Sequence, residues 1–301
     1  MAVFVPQQST RAAVPYGNVE QLAPGLRRIT ANNPGAMTGT GTGTYIVGDG
    51  QVAVIDPGPY DTAHIAALVQ ALSGETIGHI LITHTHVDHS PGTALLQQYT
   101  DAPTVGFGPH ADHDDGSGDH SFRPDITVQH GQWITGAQYE LECLHTPGHC
   151  ANHLCFAQPS HQRIFCGDLV MGWSTTLVSP PDGSISDYLS SLALLAARSE
   201  TCYWPTHGQE VQSVQAFIQM LREHRLERVA EVHRCVAAGM GHVSQMVPHI
   251  YTELNPALYP IAAHSVLASL QYLVDTGQVV IDQGDSGQMD LAGHYQLANT
   301  D

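Results

Sequence analysis

Residues 83–93 read T-H-T-H-V-D-H-S-P-G-T and place four side chains able to bind a metal, His84, His86, Asp88 and His89, within six positions. The run before them, I-G-H-I-L-I-T (77–83), is apolar and reads as a buried strand. A strand leading into a loop points alternate residues to one side, so His84 and His86 converge, while Asp88 and His89 come from the tight turn behind them. Neutral imidazoles and carboxylates are the donor set of zinc, and also of iron or manganese. A catalytic metal keeps an open position for water, so four donors from one loop exceed what one such ion takes. Two metals side by side is the economical reading.

Two metals need further donors, and the chain supplies them behind other strands. His149 lies in H-T-P-G-H (145–149), where Pro and Gly force a turn. Asp168 ends the apolar run I-F-C-G-D, and His207 lies in W-P-T-H-G behind a short strand. A carboxylate at Asp168 can bridge two metals, and the histidines complete each shell.

Composition narrows the chemistry. The 301 residues are 42% hydrophobic and 13% charged, enough for one large domain with a full core and a smaller second one. All ten basic residues are Arg, which excludes a Schiff-base lysine, a pyridoxal-phosphate enzyme and a P-loop lysine. A formal net charge of -18 repels polyanions at long range, so nucleic acid is disfavoured as a partner. Twenty His is high for this length and agrees with metal chemistry. The six cysteines, Cys143, Cys150, Cys155, Cys166, Cys202 and Cys235, form no C-x-x-C pair. The opening M-A-V-F-V-P-Q-Q-S-T-R lacks the pattern of a signal peptide, and free thiols in a reducing cytoplasm are expected. No apolar run of ~18 residues stands out, so no membrane span is expected.

Periodicity sets the organisation. Residues 44–55 predict two strands around a G-D-G turn ending at Asp56, and Asp61 is placed to cap a helix running through Leu72. A helix at 91–99, a strand at T-V-G-F, strands within 126–144 and at 153–157 and 163–166, a helix at 186–198 and a strand at 202–204 follow. Strands interleaved with helices indicate α/β layers. Residues 108–125, polar and acidic, read as a mobile loop on the substrate side; His110, His113 and His120 are poorly spaced for one fixed metal site. After about residue 211 the texture changes. Helices at 212–237, about 242–254 and 261–275, then a hairpin around G-D-S-G, make a small domain of winged-helix type. The expected domains are 1–212 and 213–301.

The ordered set H-T-H-V-D-H, T-P-G-H, G-D and P-T-H-G resembles that of the metallo-β-lactamase-fold hydrolases, over about residues 15–210. The resemblance implies an αββα sandwich with a dinuclear site at one edge of its two sheets. It implies His84, His86 and His149 on one metal, Asp88, His89 and His207 on the other, and Asp168 as the bridging carboxylate. Asp56, in V-I-D-P-G, matches the strand-end aspartate that supports the metal loop from behind. Asp168 speaks against a dedicated β-lactamase, because the zinc β-lactamases lack the bridging aspartate. G-W-S-T-T-L-V-S-P-P-D-G-S (172–184) and the C-terminal winged helix look like the β-lactamase-like-protein-2 branch, which includes a single-strand-specific endoribonuclease; the chain also resembles stand-alone thioesterases of polyketide assembly.

The implied function is a dinuclear hydrolase with two divalent ions, zinc first and manganese or iron as alternatives. A metal-bridging hydroxide attacks a small ester, thioester or lactone. Asp88 is its catalytic residue, binding a metal and able to hold the proton of the nucleophile. His110, Trp173, Thr175 and Thr176 are candidates for the substrate side. The alternatives are a single-strand endoribonuclease, which the scarcity of cations disfavours, and a non-hydrolytic metal protein of the same fold. Cys150, beside His149, is read as packing, not as a nucleophile. Helix 261–275 carries no Arg or Lys, and the hairpin adds Asp282, Asp285 and Asp290. Duplex DNA is therefore not expected, and the C-terminal domain is assigned a packing role with a homodimer contact. Arg222, Arg225, Arg228 and Arg234, interleaved with Glu223, Glu227 and Glu231, are read as a mixed solvated face.

Overall fold

Strands buried on both faces read as continuous apolar runs, and Gly43–Val47 and Gln51–Ile55 inside the first sheet are such strands. The computed structural model describes residues 14–111, 116–281 and 290–298. β1 (Val19–Ala23), β2 (Leu26–Thr30), β3 (Gly43–Val47), β4 (Gln51–Ile55), β5 (Thr76–Leu81), β6 (Thr104–Gly106) and β7 (Ile126–Thr127) form one sheet in that order. On β3 and β4, Tyr45, Val47, Ala53 and Ile55 point into the central core, while Ile46, Val52 and Val54 point to a second cluster. That second cluster packs Ile65 and Leu68 of helix α1 (Thr62–Ala71) and Leu95 and Leu96 of helix α2 (Gly92–Leu96) on the outer face. Asp61 caps α1 as expected, its carboxylate accepting from the backbone N–H groups of Ala63 and His64.

The second sheet runs β13-β12-β11-β10-β9-β8, from β8 (Trp133–Gly136), β9 (Tyr139–His145), β10 (Leu154–Gln158), β11 (Arg163–Gly167), β12 (Cys202–Pro205) and β13 (Val211–Gln212). Its inner residues Leu141, Cys143, Leu154, Phe156, Phe165 and Trp204 meet the inner face of the first sheet. The Tyr45 ring lies 5.2 Å from Phe165 and 6.3 Å from Trp204, which locks the two layers together. β4 to β5 and β11 to β12 are parallel pairs, so the loops behind β4, β5, β11 and β12 leave from strand C-termini. These are the loops that carry Asp56, the 84–89 cluster, Asp168 and His207.

The chain divides into two compact units, and neither is continuous. The first holds residues 1–146, 152–176 and 197–214 and contains both sheets; the second holds 147–151, 177–196 and 215–301. Within the second unit lie α3 (Ile185–Ala196), α4 (Val214–Ala237, from Gln215 on), α5 (Val243–Ile250), α6 (Tyr259–Asp275) and the pair β14 (Val279–Ile281) and β15 (Tyr295–Leu297). Ser179 hydrogen-bonds with His264 at 2.9 Å, and the guanidinium of Arg225 lies 5.2 Å from the Tyr188 ring centroid. The reading of α4 as a mixed solvated face holds for Glu223, Glu227 and Arg234, which are exposed, and is corrected for Arg225 and Arg228. Arg225 is buried on Tyr188, and Arg228 lies over Tyr251 while pairing with Glu231. The flat guanidinium stacks on an aromatic face where an ammonium would stay in water.

The membrane expectation also meets an exception. Among the described residues, Pro256–Asp275 is long and apolar enough, by length and composition, to cross a membrane. A short 3₁₀ turn at Pro256–Leu258 extends α6 to that length, and Ala262, Val266, Leu270 and Leu273 are buried. His113, Asp282, Asp285 and the G-D-S-G turn of the expected hairpin lie outside the described residues.

Candidate metal centre

Asp56, immediately behind β4, is fully buried with φ +50, a left-handed backbone unusual for a residue other than glycine. Its carboxylate accepts from the Thr83 backbone N–H at 2.8 Å, the Thr83 hydroxyl at 2.7 Å and the Thr206 hydroxyl at 3.1 Å. It also lies 3.0 Å from Nδ1 of His89. A carboxylate accepts only, so the proton of His89 sits on Nδ1 and Nε2 is left as a donor atom for a metal. That Nε2 is buried and has no hydrogen-bond partner; it lies 3.4 Å from Oδ2 of Asp88 and 3.6 Å from Oδ1 of Asp168. His207 is oriented the same way: its Nδ1 hydrogen-bonds with the Gly41 carbonyl at 3.1 Å, and its Nε2 faces Asp88 at 3.1 Å and Asp168 at 3.5 Å.

The ligand atoms of Asp88, His89 and His207 therefore lie within 4.8 Å of one another, with Asp168 against both imidazoles. The alternation expected of residues 84 and 86 is also observed. Nε2 of His84 is 2.9 Å from Nδ1 of His86, and the His84 ring lies 3.9 Å from that of His89. His149 sits on the Pro147–Ala151 segment of the second unit. Gly148 before it has φ +136 and runs so close to Tyr188 that a Cβ would come within 2.4 Å of its Cα, so only glycine fits. Nδ1 of His149 hydrogen-bonds with the Leu177 carbonyl at 2.7 Å, which fixes the orientation of the ring.

Charge explains why such a pocket seeks cations. Burial alone would lower the His89 imidazole, but Asp88, Asp168 and Asp56 around it raise it well above the ordinary histidine range. Burial likewise acts to lower His207, and Asp168 and Asp88 reverse it. Burial would raise the Asp88 carboxyl, yet the charges and hydrogen bonds of His89 and His207 hold it well below the usual carboxylate range. Three carboxylates thus demand positive charge, which protons on the imidazoles supply and a metal would displace.

The substrate-side candidates separate. Trp173 is half-buried, its ring against Gly39. Thr175 is half-buried on the same loop. Thr176 is corrected to a brace: it is buried, and its hydroxyl donates to the Asp168 carbonyl at 2.7 Å and the Leu169 carbonyl at 2.9 Å. His110 is buried as well. Its Nδ1 hydrogen-bonds with Thr85 at 2.9 Å, and its ring lies 6.1 Å from His86, so it supports the metal loop from behind. The sequence reading missed Asn152, whose amide donates to Thr85 at 2.8 Å and to the Pro109 carbonyl at 3.1 Å. It missed Asp119, which accepts from the Ser90 hydroxyl at 2.7 Å. It also missed His153, whose Nε2 meets the Asp168 amide at 3.1 Å. The only signal for these was polarity beside a motif.

The profile of the metallo-beta-lactamase superfamily matches residues 38–207, more than half of the chain. The chain belongs to that superfamily. It is a hydrolase of the metallo-β-lactamase fold, and the beta-lactamase associated winged helix domain matches residues 243–287. It is similar to the lactamase-like protein vrtG of Penicillium aethiopicum, 30% identical over 256 residues, 84% of this chain and 78% of that one. It is 29% identical over 258 residues to the atrochrysone carboxyl ACP thioesterase dmxR1 of Cryptosporiopsis sp. (strain 8999), covering 80% of this chain and 75% of that one. A beta-lactamase domain protein from Burkholderia ambifaria shares the fold over 98% of this chain and 97% of its own, with a TM-score of 0.78 and 22% identity.

Proposed function

We propose that this hydrolase binds two divalent cations and cleaves an acyl thioester, with small esters and lactones as the related substrates. The observation that carries the reading is Asp168, whose two carboxylate oxygens lie against Nε2 of His89 and Nε2 of His207 beside Asp88. The donor set fits the ions, because the buried Nε2 of His89 faces the Asp88 carboxylate, an arrangement that a proton satisfies in the metal-free pocket and that a cation would satisfy in its place. His84 and His86 would contribute to one ion, Asp88, His89 and His207 to the other, and Asp168 to both.

Bound there, two cations would bring the pKa of a shared water toward neutrality and polarise the acyl oxygen, with zinc the first choice of ion. The side chains do the rest. Asp56 and the Gly41 carbonyl fix the tautomers of His89 and His207. Asp88, mostly buried in this pocket, is placed to receive the proton that the attacking water gives up. No Ser, Cys or Lys nucleophile is needed. The similarity to a protein named as a carrier-protein thioesterase supports the thioester as the bond cleaved. The test is a hydrolysis screen of zinc- and manganese-loaded protein against acyl thioesters, lactones, nitrocefin and a fluorogenic RNA. Thioester turnover above the rest is expected; RNA cleavage or nitrocefin turnover as the leading activity would overturn the substrate class.

A further inference from the structure

We propose that His153 is a positioning residue that holds the peptide of Asp168 in place, using a single neutral tautomer. The inference rests on the reading of Asp168 as the shared metal ligand.

His153 is fully buried just ahead of β10, and its Nε2 is 3.1 Å from the backbone N–H of Asp168. An amide only donates, so that Nε2 is the accepting, unprotonated nitrogen. The ring proton then lies on Nδ1, 2.9 Å from the Thr146 hydroxyl oxygen. Thr146 can accept it because its own proton has other acceptors in the Leu144 carbonyl and Cys155 Sγ. Donation thus runs in one direction, from the Asp168 N–H to His153 and from His153 to Thr146.

The need for this imidazole follows from how β11 ends. The β11–β12 register shifts between Phe165 and Gly167, and Gly167 pairs with Pro205. The ladder therefore stops where the ligand loop begins, and the N–H of Asp168 takes a side chain as its acceptor. Gly167 turns at φ +51, and a Cβ there would come within 2.5 Å of Nε2 of His153 and 3.0 Å of Cβ of Thr83. The glycine lets the backbone lie down on the imidazole. On the other side of the same residue, the Thr176 hydroxyl holds the Asp168 carbonyl. The peptide is pinned at both ends, so the carboxylate between His89 and His207 inherits a fixed origin. His153 cannot itself be a ligand through Nε2, because that lone pair already faces an amide.

The experiment compares the parent with His153→Leu, which fills the space without an acceptor, and His153→Gln, whose amide oxygen can accept in place of Nε2. Metal content is read after challenge with a competing chelator. His153→Leu should hold metal about 10- to 100-fold more weakly, the range seen when a partner behind a ligand is removed. Its kcat should fall with KM little changed, and His153→Gln should recover most of both. Nitrogen NMR of the metal-free parent, labelled with 15N-histidine, should show His153 protonated on Nδ1. Retention in His153→Leu equal to the parent, equal loss in the Leu and Gln variants, or a proton on Nε2 would each overturn the assignment. If His153→Leu does not fold, the NMR result and the His153→Gln retention decide. A parent that binds no metal would instead overturn the dinuclear reading, so the two failures are told apart.

Discussion

Asp168 offers the sharpest residue-scale test. Its two carboxylate oxygens lie one against His89 and the other against His207, so Asp168→Ala removes a charge that would neutralise two adjacent cations. Elemental analysis should find close to two metals per parent chain and a loss of metal together with hydrolysis in Asp168→Ala; one tightly held metal in the parent would refute the dinuclear site. His64 gives a test of stability. Its Nε2 is 2.8 Å from the Thr44 hydroxyl, which donates onward to the Asp56 carbonyl, and its Nδ1 is buried with no partner. Protonation would bury a charged N–H with no acceptor, and burial pushes this imidazole down to about 4. The unfolded chain, near 6.5, takes up the proton first. Stability is therefore complete above about pH 6.5 and lost as pH falls toward about 4, by roughly 3 kcal/mol at most. Unfolding midpoints measured from pH 7 to 4.5 should fall more steeply for the parent than for His64→Leu; parallel curves would show that His64 is not the source. The ligand candidates were legible because each sits behind a strand with turn residues around it. Thr206, Thr83 and His153 were not, because their bonds join positions up to 150 apart in sequence, which spacing cannot encode.

At the scale of elements, β3 and β4 were legible because both faces are buried and the apolar run is unbroken. β1 and β2 gave no such signal. β1 is an edge strand with exposed positions, and β2 carries Arg27 and Arg28, whose charges are met by Glu75 and Glu20. The helix expected at 91–99 shrinks to Gly92–Leu96, and the chain continues in tight turns, the N–H groups of Gln98 and Tyr99 donating to the carbonyls of Leu95 and Leu96. The winged-helix elements were readable from their periodicity, and their charge carries a prediction. α6 has no cation, and its first charged residue is Asp275. Phosphates need Lys or Arg at a recognition helix. Duplex DNA titrated at physiological salt should bind more weakly than roughly 1 μM, the tight edge of non-specific binding; a tighter complex would restore a DNA-reading role.

The whole molecule combines a charge of -18 with arginines already engaged. Arg27 pairs with Glu75, Arg28 with Glu20, and Arg198 with Glu142 and Glu200. A phosphate-bearing substrate would meet repulsion before it met a partner. Turnover of a neutral thioester should stay flat between about 50 and 200 mM salt, whereas RNA held through phosphates would lose affinity steeply over that range. A steep fall with the neutral substrate would contradict this. The expected boundary at 212/213 did not foresee that 177–196 joins the C-terminal helices in one unit, since contacts such as Ser179 with His264 leave no local mark in the sequence. A chain cut after residue 212 would strip α3 of α6 and Tyr188 of Arg225. We expect that fragment to aggregate in size-exclusion chromatography, and a monodisperse, fully active fragment would show that the winged-helix part is dispensable.

The knot at Asp56 bears on how such a protein is supplied. One carboxylate gathers Thr83 and His89 from one loop and Thr206 from another, through bonds between protein groups alone. The loops are laced by protein alone, unlike small metal-dependent domains that unfold when the ion leaves. If the proposed centre takes its cations, their loss and the unfolding of the chain should then be separate events. Chelator-treated protein should keep its unfolding transition and take up an added ion without refolding, so the ion held would follow the supply around the finished molecule.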